Sequence, residues 1–168
     1  MADKTNFSAE EWTQLLESPM MVGMAVTAAD PSGLWGVIKE AMASGVAVVE
    51  AARDPSANTL VKAVAAEFAT SEGRGIARDG LKAKLGGSKP ADIKATTIHA
   101  LRSLSAMLDA KAPDDAAAFK DWLRLISQRT ADAASEGGGF LGFGGVQVSE
   151  AEKATLSELS TALGLKVA

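Results

Sequence analysis

The residue types that usually carry catalysis are scarce in this chain. Of its 168 residues one is histidine, none is cysteine and none is tyrosine. Any nucleophilic or acid–base arrangement that needs an imidazole must use His99, and no Gly-x-Ser-x-Gly elbow accompanies it. A di-iron bundle needs two Glu-x-x-His motifs, which one histidine cannot supply. On a helical wheel His99 falls roughly opposite Leu101, among Asp92, Arg102 and Ser103, the setting of a surface or interface histidine. The lack of cysteine excludes disulfides, thiolate metal sites and cysteine nucleophiles, and suits a reducing cytoplasm. Carboxylates alone remain for catalysis. The expectation is a protein that is not an enzyme.

The second candidate for chemistry is Gly137-Gly138-Gly139-Phe140-Leu141-Gly142-Phe143-Gly144-Gly145. A phosphate-cradling loop would follow a strand and end in Gly-Lys-Ser/Thr. This stretch follows a helical pattern and ends in Val146-Gln147-Val148-Ser149, with Glu150 and Glu152 placed to repel an anion. Phosphate is therefore not its expected ligand. Phe140, Leu141 and Phe143 are the informative residues, because each gains about 1.5–3 kcal/mol from leaving water. Two outcomes stay open. The three fold back as a lid on their own domain, or they dock on a second subunit, a protein partner or a membrane surface.

The elements that must position these residues read as all-α. Hydrophobic content is 47%, charged content 23% and net charge −4, ordinary for one folded domain and without an overall electrostatic case for nucleic acid. No stretch reaches the ~20 uninterrupted apolar residues of a membrane span, and no basic-then-apolar leader opens the sequence, so the expected location is cytoplasmic. Period-two β patterns are absent. All five prolines, Pro19, Pro31, Pro55, Pro90 and Pro113, stand where helices are expected to begin.

The expected elements are these, in chain order. Residues 1–7 form a loose start. A helix over about 8–17 opens on the capping-box spacing Ser8-Ala9-Glu10-Glu11. A second helix, opened by Ser18-Pro19, carries residues 20–29, which are apolar on every face and so are buried all round. A helix over about 34–52 is expected at the centre of the bundle, and another over about 56–70 buries Leu60, Val61, Val64 and Phe68. Residues 71–89 read as a mobile, locally basic connector with one short helix near 76–85. The helix over 90–110 has Ile93, Thr97, Leu101, Leu104 and Leu108 in one stripe, and the one over 113–136 has Phe119, Trp122, Leu123, Ile126, Thr130 and Ala133. After a Gly-rich apolar loop at 137–148, Ser149-Glu150-Ala151-Glu152 caps a last helix, which ends at Gly164. One compact bundle of six to seven helices results.

Part of the last third resembles the tellurite-resistance TerB-like helical domains. The resemblance rests on Ala133-Ala134-Ser135-Glu136-Gly137, on Val148-Ser149-Glu150-Ala151-Glu152-Lys153-Ala154, and on the Ala162-Leu163-Gly164-Leu165 ending. Ala28-Ala29-Asp30-Pro31-Ser32-Gly33 stands at the matching turn of a first copy. Such domains are all-α with an internal pseudo-repeat and are linked to divalent cations and membrane-associated stress responses. The resemblance implies Asp30, Glu136, Glu150 and Glu152 as cation ligands. Read without it, Asp30 is an N-cap, and Glu150 and Glu152 are first-turn acids favoured by the helix dipole. The expectation is a bacterial helical binding or assembly module without catalytic activity, homodimeric or partnered through the Gly-rich loop. The alternative is a TerB-like cation-binding stress protein.

Overall fold

The computed structural model describes residues 1–29, 46–136 and 148–166. Among them are seven α-helices and no strand: α1 Ala9–Ala29, α2 Val46–Arg53, α3 Thr59–Phe68, α4 Ser71–Leu85, α5 Pro90–Lys111, α6 Pro113–Glu136 and α7 Glu150–Ala162. The all-α expectation holds.

Among the described residues α1 is the hub, because α3, α4, α5, α6 and α7 all pack against it. Its second half has no polar face, and Met21, Val22, Ala25, Val26 and Ala28 are all buried. The sequence pointed instead to the helix over 34–52 as the centre. The described part of that stretch belongs to α2, which packs chiefly on α3. Residues 30–45 lie outside the described part.

Pro19 does not begin a helix; it lies inside α1. A proline there deprives the Leu15 carbonyl of the N–H it would have bonded four residues on. The Ser18 hydroxyl, buried beside it, donates to Leu15 O at 2.8 Å instead. The helix therefore runs through with that acceptor satisfied. Pro55 is also misplaced by the sequence reading. The Asp54 carboxylate accepts from Ser56 N at 2.8 Å and Ser56 Oγ at 2.6 Å and closes a turn. α3 starts later, capped by Asn58, whose side chain accepts from Leu60 N and Val61 N. Asp and Asn bond the backbone two residues on more readily than they continue a helix.

Residues 71–85 form the full helix α4 rather than a short one, capped by Thr70. Two of its three glycines serve close approach. A Cβ at Gly73 would stand 2.1 Å from the Glu67 carbonyl oxygen, and one at Gly80 would stand 1.7 Å from Glu17 Oε1. α4 thus lies on α1 with Ala77, Leu81 and Leu85 buried, and the basic residues face outward. The first residues are held as well. Ala2 N donates to Asp115 Oδ2 at 2.6 Å, Ala2 and Phe7 are buried, and Asp3 caps a short 3-10 turn over Lys4–Asn6.

Other expectations are met closely. Ser8 and Glu11 form the reciprocal cap of α1. Hydrogen bonds from the Lys111 ammonium, above all, and from Ser8 N lower the Glu11 pKa. That contribution is present at neutral pH and is lost as pH falls through the lowered value. The α3 and α5 stripes are buried as read. In α6 the stripe continues to Ser127 and Ala131 instead of Ala133, which is exposed. Gly164 takes φ +73°, and Leu165 N reaches back to Ser160 O at 2.9 Å, a Schellman ending.

Ser18→Ala should cost about 1–3 kcal/mol in urea unfolding, the cost of a buried unsatisfied carbonyl. The same change should cost clearly less in a Pro19→Ala background, where the backbone N–H returns. Gly80→Ala should lower stability by at least about 1–3 kcal/mol. Gly75→Ala, whose Cβ would meet nothing within 4 Å, should raise it by about 0.5–1 kcal/mol.

Candidate interaction surface

Helix α6 buries Phe119, Trp122, Leu123 and Ile126, and turns Asp121, Arg124, Leu125, Gln128 and Arg129 outward. At 100° per residue Leu125 lies about 200° around from Leu123, so one leucine cannot be buried with the other. Leu125 is 48% exposed, and among the described residues only Met1 is another large hydrophobic this open. A single exposed leucine needs no explanation. What sets this one apart is its position on a ridge between two grooves.

One groove, of 560 Å³, runs between α6 and the pair α2–α3. Its lining carries three carboxylates, Glu50, Asp54 and Asp121, against two arginines, Arg124 and Arg129. Arg129 ion-pairs with Glu50, tying α2 to α6 across the groove. Arg124 donates from Nε at 3.2 Å and Nη2 at 3.0 Å to one oxygen of Asp121. Trp122 lines the groove too, edge-on to Phe119 at 5.3 Å, and its buried indole N–H has no acceptor among the described residues.

The other groove, of 330 Å³, lies between α6 and α7. Arg124, Lys153 and Lys166 line it with Ser127, Ser157 and Ser160, and its lining includes no carboxylate. Leu125 and Arg124 belong to both linings. The ridge is thus flanked by a net-negative groove and a positive one.

Of the residues singled out from the sequence, Phe140, Leu141 and Phe143 come after α6 and lie outside the described residues, as does Asp30. Glu136 is the last residue of α6, with its side chain outside the described part. Glu152 is buried and committed to the cap of α7, where its carboxylate accepts from Ser149 N at 2.8 Å. Glu150 is exposed and pairs with Lys153 at 2.7 Å. Among the described residues no group of three or more histidine or acidic side chains is placed to hold a metal ion. His99 is exposed on α5. No described helix is long and apolar enough to cross a membrane.

The sequence reading passed over Leu125. The signal was present: an apolar residue on the wrong side of a helix whose buried stripe is otherwise well defined. No known protein family, curated protein or solved structure matches the chain.

Proposed function

We propose that this protein is a non-enzymatic assembly module that pairs with a second copy of itself through the outward face of α6. The observation that carries this reading is the Leu125 ridge between grooves of opposite charge. A two-fold axis running along α6 within the interface sets the acidic groove of one copy against the basic groove of the other. The same patch then serves both subunits, as a closed dimer requires. Leu125 would be buried at the centre and the ion pairs left at the rim, the usual layout of an interface. Phe140, Leu141 and Phe143, singled out from the sequence for a partner contact, follow this helix in the chain. In this reading the module works in the cytoplasm.

The test is solution mass by light scattering across a micromolar concentration range. The wild-type chain should be a dimer at tens of micromolar, and Leu125→Asp should be a monomer with an unchanged helical spectrum and melting temperature. Raising salt should weaken the wild-type dimer, since exposed charges are screened. A wild-type chain that stays monomeric throughout, or a Leu125→Asp dimer of equal strength, contradicts the reading.

A further inference from the structure

A cleft of 320 Å³ opens between α1, α4 and α5. This is the small end of the size range of ligand pockets, about 300–1,000 Å³. One wall is apolar, from Met21, Leu101 and Leu104, all buried. Across from it stands Lys84, whose side chain is 37% exposed and whose ammonium pairs with Glu17, 1% exposed.

The pairing decides which charge a ligand meets. Glu17 is enclosed: a Cβ on Gly80 would lie 1.7 Å from its Oε1, so that oxygen is packed against α4. That oxygen has no hydrogen-bond partner among the described residues. Lys84 stands between the carboxylate and the solvent side and keeps donors to spare, because an ammonium has three. Elsewhere in the lining the Thr96 hydroxyl and the His99 ring have no hydrogen-bond partner among the described residues, and Ser103 makes only a 3.4 Å contact to the His99 carbonyl. Each of these groups can donate to an acceptor. The exposed face of α4 adds Arg78 and Lys82 nearby in sequence.

We infer that this cleft binds a small organic monoanion, a carboxylate with a short apolar tail. The carboxylate sits on Lys84 with the Thr96 hydroxyl completing its hydrogen bonds, and the tail lies along the apolar wall. Glu17 is the positioning residue: it fixes the ammonium at the head of the cleft. Because Glu17 balances the charge of Lys84, the head group is held by hydrogen bonds and not by net positive charge, which disfavours a dianion such as a phosphate monoester more than a monoanion.

The experiment is titration of the full chain with sodium hexanoate, n-hexylammonium chloride, hexanol and hexyl phosphate. Binding would be followed by the His99 ring resonances and by calorimetry. Hexanoate should bind best and shift the His99 signals. Lys84→Met alone leaves Glu17 buried without a counter-charge and could unfold the chain. The informative variant is therefore Glu17→Gln with Lys84→Met, which removes both charges, checked for an intact melting transition. It should weaken hexanoate by about tenfold or more, the scale of one lost charge-assisted contact. Thr96→Val should weaken it by a smaller factor with the fold unchanged. Stronger binding of hexylammonium, hexanol or hexyl phosphate, undiminished hexanoate binding in the double variant, or no hexanoate binding at millimolar concentration would each overturn the inference.

Discussion

The structure depends on one constraint: the second half of α1 has no face that water can solvate well. Met21, Val22, Gly23, Thr27 and Ala28 point in different directions around the helix, and all are buried. The only solution for such a helix is to be surrounded, and five other helices do so. Met21, Val22 and Val26 each contribute roughly 1.5–3 kcal/mol by leaving water. That sum exceeds the roughly 3 kcal/mol a proline costs within a helix. Burial therefore decides the path of the chain, and Ser18 repairs the one backbone defect that results by bonding the Leu15 carbonyl.

The same helix carries a charge into this apolar setting. A buried carboxylate that loses its partner costs about 3–5 kcal/mol, so Glu17 ties α4 to α1 through Lys84. Gly80 permits the approach, since any side chain there would collide with the carboxylate. A connector-like composition thereby becomes a helix of fixed position. One consequence is the cleft beside Lys84. The outward face of α6, with the grooves beside Leu125, is a separate surface built from the rest of the bundle. The buried centre supplies the frame, and the two candidate sites occupy surfaces the frame leaves open.

Much of this was legible in the sequence where a local pattern and the tertiary fold agree. The α5 stripe from Ile93 to Leu108, the caps at Ser8 and Ser149 and the Gly164 ending are local features, and each appears as read. The misreadings share a cause. Pro19 and the α4 glycines are breakers by propensity, yet a long-range partner reverses their meaning: general burial of α1 for Pro19, the Glu17 carboxylate for Gly80. No local rule carries that information. Pro55 failed for a shorter-range reason, because Asp54 bonds Ser56 and delays the helix to Asn58. For the sites, Glu150 and Glu152 were legible as cap residues, and the structure places both in the first turn of α7. Leu125 and the Glu17–Lys84 pair were not legible as sites. An exposed leucine matters only through what flanks it, and an ion pair joining residues 17 and 84 has no signature in a local window.

The central claim is that one unbroken helix through Pro19 forms the heart of the bundle, and native-state hydrogen exchange tests it most directly. In a continuous α1 the amides of Met20 and Met21 bond Leu16 and Glu17 carbonyls and sit in the core. They should then exchange only through global unfolding, as slowly as the core amides of α5 and α6. If a new helix began at Pro19, those two amides would be first-turn donors without a helical acceptor. Exchange at Met20 and Met21 orders of magnitude faster than in α5 would contradict the account.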